Sequence, residues 1–443
     1  MATTDLPTCV HPLVKEMQSE LTTARDLFGG QRALDKKPTS YLPQHPGERS
    51  EDYAIRVRRR VLFNSFRRAV QSLVGMVFTQ DPKLVGVPLR IKEFWEDDID
   101  GAGTVGEVFT RSVFEDALVA GHAAILVDMP AVEAADELNG LDEREQGIRP
   151  YWVHVPKDDI LSWRTETLGG RTILTQIVIR EAVLLPDGEF GSKQAEQYRV
   201  LIREDVGVRF EIWAVPPSGG DPIKMLQGPI VGVTEIPLAV IYTDRTGYLT
   251  SRPPMIDLCD VNLRHYQTAS DYAHALHIAM VPILFGKGFG EEELLIGPNS
   301  AVVIEDIEAG ATLEWVETAG TALGSARQAL LDMQEQMARL GLGMLERQSR
   351  SAETAEAKRQ ESAQQNSALE NAVASLEDGL AMALWYTAQF MGEKDGGKIE
   401  FGSTLAIAPQ AAKGPRRDTE PRGDEPDQTD RPNVPTTVDG GAE

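Results

Sequence analysis

Apolar residues in the C-terminal half of the chain recur at alternating steps of three and four, which places them on one face of a helix. The first such stripe consists of Leu323, Ala326, Leu330, Met333, Met337, Leu340 and Met344. The second consists of Leu369, Val373, Leu376, Leu380, Ala383, Thr387 and Phe390. Residues 347–368 between the stripes are mostly polar or small types that favour helix but offer too little apolar surface for a core. The pattern predicts two long helices joined by a polar helical segment.

Four further helices are predicted upstream by the same periodicity and by residues that begin or end helices. They cover residues 12–29, 50–78, 105–120 and 254–279. The pair Gly29-Gly30 is a stop signal for the first helix, and Ser50 is a cap for the second. The chain therefore contains at least six predicted helices.

Between residues 151 and 242 the hydrophobic period changes to two, which is typical of β-strands with one buried face. Turn residues at 186–188 and 217–220 divide this region. A separate strand is predicted at 123–127, and a small insert at 282–320 has the predicted strands 283–285, 301–304 and 312–316. The fold class is therefore predicted to be α+β, with a mostly antiparallel β region.

Composition limits the classes of protein to which this chain can belong. The 443 residues suffice for two or three domains, and 42% of them are hydrophobic. With 44 Lys and Arg against 68 Asp and Glu, the net charge of −24 predicts no simple attraction to nucleic acid or to an anionic membrane. Residues 409–443 are rich in proline and acidic residues and lack aromatic residues, which predicts a disordered tail.

The two cysteines, Cys9 and Cys259, show no metal-binding or redox spacing, so we expect a reducing compartment and no disulfide. The N-terminus lacks a signal-peptide pattern, and no apolar run approaches the roughly 18 residues that span a bilayer. We therefore expect a soluble protein without a membrane partner.

Residues 56–68 form the most basic stretch of this acidic chain. Its arginines are Arg56, Arg58, Arg59, Arg60, Arg67 and Arg68. Two interpretations are open: ion pairing with acidic surface of the same or a neighbouring subunit, or contact with a polyanion.

Three apparent chemical motifs are weak. The glycine-rich residues 286–290 have the wrong spacing for a phosphate loop, and the acidic residues 291–293 would repel an anion there. His265, His274 and His277 share one predicted helix but lack a third ligand at a compatible spacing, so we expect packing histidines. Asp97, Asp98 and Asp100 lack the ligand order of a calcium loop. We therefore predict neither an enzyme nor a cofactor.

Four segments in the same order carry a resemblance to a known family. They are residues 41–48 (YLPQHPGE), 61–68 (VLFNSFRR) with 73–78 (LVGMVF), 254–266 (PMIDLCDVNLRHY) with 270–272 (SDY), and 354–357 (TAEA). The sequence resembles the portal proteins of tailed bacteriophages, and more narrowly a portal subfamily long catalogued as a domain of unknown function. The long acidic tail is a departure from the family.

The resemblance implies a dodecameric ring through which double-stranded DNA enters and leaves the head, with an α/β wing, a helical stem, a small α/β clip, a long wing helix and a reduced crown. The implied segments are an N-terminal helical arm (1–49), wing (50–253), first stem helix (254–279), clip (280–317), second stem helix (318–345), tunnel-loop region (346–361), long wing helix (362–395), reduced crown (396–408) and tail (409–443). The implied partners are the terminase large subunit, a head–tail adaptor and the major capsid protein. The implied location is the portal vertex of the virion, with assembly in the host cytoplasm.

Three groups of site residues follow. The resemblance implies that the DNA channel is lined by Arg347, Arg350, Glu353, Glu356, Lys358 and Arg359. It also implies that the clip docks partners through Lys287, Phe289, Glu291 and Glu292. One subunit is not expected to supply enough surface to cover both apolar helix faces. We therefore predict a subunit interface at Leu330, Met333, Met337 and Leu340.

Two alternatives belong to other classes of protein. One is a helical scaffold or adaptor that assembles without surrounding DNA. The other is an enzyme that uses the helix of His265, His274 and His277 as a metal site.

Overall fold

The structure is a computed structural model that describes residues 6–130, 148–216, 219–280, 283–287, 312–316, 321–345 and 367–402. Its first elements, in chain order, are α1 (Pro12–Gly29), α2 (Gln31–Leu34), α3 (Pro38–Tyr41), α4 (Ser50–Arg59), α5 (Ser65–Val77), β1 (Lys83–Val85), α6 (Leu89–Asp97) and α7 (Gly106–Ala120). Helix α1 has the predicted bounds: the His11 side chain accepts from Leu13 N–H at its start, and Gly30 (φ 79°) follows its end. The prediction for α7 is confirmed to within one residue.

The predicted helix 50–78 is wrong in one respect, because it is divided into α4 and α5. Asn64 caps α5 by accepting a hydrogen bond from Arg67 N–H. Asn262 of another helix stabilises the start of α5. Its side-chain oxygen accepts hydrogen bonds from Ser65 N–H at 2.9 Å and from Phe66 N–H at 3.0 Å. A residue about 200 positions away therefore sets this helix boundary.

The middle of the chain is antiparallel β structure, as predicted. Its strands are β2 (His122–Asp128), β3 (Tyr151–Pro156), β4 (Ile160–Leu168), β5 (Arg171–Asp187), β6 (Gly191–Glu204), β7 (Gly207–Ala214), β8 (Ile223–Ile230), β9 (Leu238–Tyr242), β10 (Arg245–Gly247) and β11 (Thr250–Ser251). They form a three-stranded sheet in the order β3-β2-β9, a five-stranded sheet in the order β4-β5-β6-β7-β8, and the small pair β10-β11. The turn predicted at 186–188 lies two residues later, at 188–190, because Pro186 and Asp187 still pair as the last residues of β5. Pro217 and Ser218 of the second predicted turn lie outside the described residues.

The remaining elements are α8 (Ile256–Ala279), β12 (Ile283–Lys287), β13 (Thr312–Val316), α9 (Thr321–Leu342), α10 (Ala368–Phe390) and β14 (Lys398–Glu400). A short 3₁₀ turn at Gly343–Leu345 follows α9. Strands β12 and β13 pair antiparallel, from Ile283 opposite Val316 to Lys287 opposite Thr312. Strand β14 pairs with β1, so residues 398–400 of the predicted crown pack into the body of the fold.

Strand β2 is buried along its whole length because each of its faces packs against a different core. Ala123, Ile125 and Val127 contact the helical core that includes α5, α7 and α10. Ala124 and Leu126 contact the second core, formed largely by the five-stranded sheet. This two-sided burial explains why residues 123–127 are a continuous apolar run.

Helix α10 buries the second apolar stripe against β9, β2 and β14, which confirms that face of the predicted helix. Leu369, Leu376 and Leu380 have no exposed surface. At the helix start, Ser367 and Glu370 form a reciprocal capping box. Both cysteines are free, and no helix among the described residues is long and apolar enough to cross a membrane.

Candidate assembly surface at the helix pair

Helices α8 and α9 form an antiparallel pair. Near the start of α8, Leu258 lies beside Gly341 at the end of α9. Further along, Gln334 Nε2 donates to His265 Nε2 at 3.2 Å. With 24 and 22 residues, the helices are each about 33–36 Å long at 1.5 Å per residue.

Only the inner half of this pair belongs to the core. The buried residues of α8 all lie between Ile256 and Ser270, and none of residues 271–280 is buried. In α9 no residue from Leu323 to Ala329 is buried, and Leu330 is the first residue in the core. The outer half of the pair is thus not covered by the part of the chain that the structure describes.

The predicted interface residues lie mainly inside the chain. Met337 has no exposed surface and Leu330 is 9% exposed, while Met333 and Leu340 are half-buried. Helix α9 packs this stripe against α8 and α5. Met337 belongs to the helical core that includes residues of α5 and α8, so our premise that one chain cannot cover the stripe is wrong for Met337. Leu330 is also buried within the chain.

A different stripe of α9 faces outward. Leu331 is 46% exposed and Leu342 is 55% exposed, and Glu335 and Ala338 between them are also exposed. The spacing of these four residues, by four, three and four, places them on one helix face. Ile278 and Met280 add exposed apolar surface at the outer end of α8. The exposed apolar surface that a second chain can cover thus comprises Leu331, Leu342, Ile278 and Met280.

Asn262 joins the helix pair to the body. Besides accepting from Ser65 N–H and Phe66 N–H, it donates from Nδ2 to Phe63 O at 2.9 Å. The residue has no exposed surface, so its three hydrogen bonds replace water in a dry site. These hydrogen bonds attach the first half of α8 to the segment between α4 and α5.

Arg56 makes a second link between α8 and the body. Its buried guanidinium donates to Glu48 Oε1 at 2.9 Å, to Pro43 O at 2.8 Å and to Asp271 Oδ1 at 3.2 Å. Hydrogen bonding from Arg56 lowers the pKa of Glu48 to about 2. The segments 41–48, 61–68, 254–266 and 270–272, which are far apart in sequence, meet at Asn262 and Arg56.

The arginines of the basic stretch divide into two groups. Arg56 and Arg60 pair within the chain, Arg60 with Asp35 at 2.5 Å, in agreement with the ion-pair interpretation. Arg58, Arg59, Arg67 and Arg68 are exposed and have no acidic oxygen within 4.0 Å among the residues that the structure describes. Sequence reasoning did not separate these two groups, because both occur in one run.

The three histidines of α8 that were considered as metal ligands differ in their surroundings. His265 is buried against Phe63, and burial lowers its pKa, so it is a packing histidine as predicted. His274 is half-buried and His277 is exposed on α8. Within the described ranges, no three or more His, Cys, Asp or Glu residues are grouped so that they could hold a metal.

The acidic loop after α6 is closed by its own carboxylates. Asp98 Oδ1 accepts from Gly101 N–H at 2.8 Å and from Gly103 N–H at 2.9 Å, while its Oδ2 accepts from Arg149 at 2.7 Å. Burial opposes ionisation, but these donors hold the pKa of Asp98 below its usual value. Its oxygens are thus engaged in ordering the loop.

The other predicted site residues are mostly beyond the described ranges. Lys287 is the last residue of β12, where it pairs with Thr312. Outside the described residues lie Phe289, Glu291, Glu292, Arg347, Arg350, Glu353, Glu356, Lys358 and Arg359, together with the predicted strand 301–304.

Comparison with known proteins finds a matching family model and similar solved structures. A family model described as a domain of unknown function (DUF4055) matches residues 254–391, which include α8, α9 and α10. A solved structure, titled as the neck of a native GTA particle computed with C12 symmetry, is similar at 11% identity and a TM-score of 0.37, covering 78% of this chain and 81% of the other. No curated protein matches the sequence. Neither similarity assigns an activity to the chain.

Proposed function

We propose that this chain is the portal protein of a tailed bacteriophage, a ring-forming subunit at one capsid vertex through which double-stranded DNA is packaged and ejected. One observation carries the proposal: an antiparallel helix pair is anchored at one end in an α+β body and loses its core contacts toward the antiparallel strand pair β12–β13. A helix, a strand pair, a second helix and a long helix on the body sheet follow in the order of a portal's stem, clip, stem and wing helix.

The exposed apolar side chains of the helix pair support a ring. Leu331, Leu342 and Ile278 are apolar and exposed, and burying apolar surface stabilises by about 25 cal/mol per Å². In a closed ring each pair has a neighbour on both sides, which covers these residues in every copy. The proposed ring is a dodecamer. Its proposed subunit interface is the outward-facing stripe of α9 and no longer the stripe of Met337.

The outer end of the pair is the proposed docking site for the terminase large subunit and then for a head–tail adaptor. Strands β12 and β13 form a two-stranded sheet, which is marginally stable by itself in water. Pairing with the neighbouring strand pair and with a partner would stabilise it. The body would contact the major capsid protein.

The proposed channel lining comprises Arg347, Arg350, Glu353, Glu356, Lys358 and Arg359. A subunit charge of −24 opposes tight DNA binding, as a conduit for a moving polyanion requires. The few basic residues would contact phosphates briefly while the acidic residues prevent a lasting complex.

Electron micrographs of the purified protein test the proposal directly. We expect annular particles with a central hole and twelve-fold symmetry. A helical scaffold or adaptor would give discrete monomers or assemblies without a hole, and that result would refute the portal assignment.

A further inference from the structure

Arg58, one of the exposed arginines, lines a groove at the end of α4. Val57, Val61 and Leu62 line the groove together with Arg58 and the Arg60–Asp35 ion pair, and its volume is about 340 Å³. Val61, between α4 and α5, is 74% exposed and offers apolar surface at the groove. Arg59 follows Arg58 on α4, and Arg67 lies beside Gly30, next to the groove residue Gln31. We call this surface, with Arg58, Arg59, Arg67 and Val61, the arginine groove.

Two exposed guanidinium groups of α5 stack on aromatic rings, and one of them, that of Arg67, belongs to the arginine groove. Arg67 lies over Phe28 with its Cζ 5.4 Å from the ring centroid, and Arg68 lies over Phe63 at 4.9 Å. Stacking restricts these long side chains before any partner arrives, so less side-chain entropy is lost on binding. A guanidinium donates two parallel hydrogen bonds to a carboxylate, so the groove is suited to acidic residues.

An acidic protein surface fits the groove better than nucleic acid does. A DNA backbone offers no apolar group to cover Val61, and the net charge of −24 repels DNA at long range. The same charge makes a second copy of this chain an acidic partner. Copies of such a chain repel one another unless positive and negative surfaces meet locally.

Helix α6 carries the matching surface. Leu89 is 71% exposed, and Glu93 and Glu96, four and seven residues later, extend the same helix face with Asp97 beside them. Glu96 pairs with Lys92 at 3.4 Å, an i,i+4 ion pair that stabilises the helix itself. Asp97 ends α6, where the helix dipole disfavours a negative charge, so Asp97 is not explained by helix stability. Leu89 beside the carboxylates of Glu93 and Asp97 complements one exposed valine beside arginines.

We infer that the arginine groove of one copy binds the α6 face of the next copy, an interface that rests on the ring proposed above. Helix α4 packs against α8, whereas α6 packs against α7 and α10, so the two surfaces belong to different helix groups of the chain. A head-to-tail ring requires two different complementary surfaces on each subunit. The contact would also fix which neighbour each helix pair meets.

The experiment compares ring assembly of matched charge variants by mass photometry. The groove variant is Arg58→Glu, Arg59→Glu and Arg67→Glu, and the control reverses the exposed Arg111, Arg164 and Arg171, with the same change in net charge. We expect the groove variant to lose rings at least about tenfold and the control less than about twofold, because only the first juxtaposes like charges. Thermal melting of the monomer verifies that both variants fold.

A complementary variant, Glu93→Arg, Glu96→Arg and Asp97→Arg, should also lose rings, and combining it with the groove variant should restore them. Rings that persist in the groove variant, or that the combination does not restore, overturn this interface while leaving the portal proposal intact. Failure of the unsubstituted chain to form rings overturns both. Intact rings with loss of salt-dependent retention on double-stranded DNA would show that the groove binds nucleic acid instead.

Discussion

Arg56 of α4 pairs with Glu48 of the N-terminal segment and also with Asp271 of α8. The pKa of Glu48 is about 2 in the folded chain against an ordinary value of 4.5. A lowered folded pKa means that the pair stabilises the fold above about pH 4.5 and that this contribution is lost as the pH falls toward 2. We expect Glu48→Gln to lower Tm near neutral pH, because it leaves buried Arg56 without its main carboxylate.

The pH dependence separates this effect from simple damage to the fold. The fall in Tm on acidification should be smaller for Glu48→Gln than for the unsubstituted chain, since the titrating group is gone. Glu51→Gln, on the exposed face of α4, is the control and should leave the pH profile unchanged. Parallel profiles for Glu48→Gln and the unsubstituted chain would contradict the assigned role.

Met337 and Leu331 differ in burial although both are apolar residues of α9. Met337→Ala should destabilise the monomer by roughly 2–5 kcal/mol, because it removes a buried methionine and leaves a cavity. Leu331→Asp should leave unfolding by denaturant nearly unchanged and reduce ring assembly instead, because this side chain is uncovered in the single chain. Urea unfolding and mass photometry distinguish the two effects. Full rings in Leu331→Asp would exclude the outward stripe from the interface.

The strand pair β12–β13 is connected to the end of the helix pair that has no core contacts. Residues 288–297 follow β12, and their deletion leaves the β12–β13 pairing residues and the core of α8 and α9 in place. We expect the shortened chain to remain folded and to lose binding of the terminase large subunit. Co-purification with terminase is the measurement, and undiminished terminase binding by the shortened chain would refute docking at this end.

Helix boundaries set by local signals were predictable, whereas a boundary set from a distance was not. Pro12–Gly29 begins with proline and ends before Gly30, and its predicted bounds are confirmed. The break between α4 and α5 depends in part on Asn262, which no local pattern near residue 60 contains. Nor did the periodicity of α9 reveal that α5 and α8 would cover its apolar stripe.

At the scale of the whole molecule, the prediction concerns the channel of the proposed ring. Glu353→Lys with Glu356→Lys in every subunit should slow or stall DNA packaging while leaving ring assembly intact, since repulsion is replaced by many simultaneous phosphate contacts. Single-molecule packaging velocity and pause frequency at low salt are the measurement. Exchange of the two residues for Gln is the control, because it removes charge without adding phosphate contacts. An unaltered velocity in the Lys variant would show that this segment does not face the DNA.

Hydrophobic periodicity was enough to predict an α+β fold and the buried face of α10. Period-two alternation predicted the antiparallel sheets, and the stripe from Leu369 to Thr387 predicted the buried face of α10, because burial of one face imposes a local repeat. The sequence pattern did not show that Met337 is internal, that Arg56 is buried while Arg58 is exposed, or that the helix pair is anchored at one end. Those outcomes depend on contacts between residues far apart in the chain, and a repeat in sequence does not specify which surface will cover it.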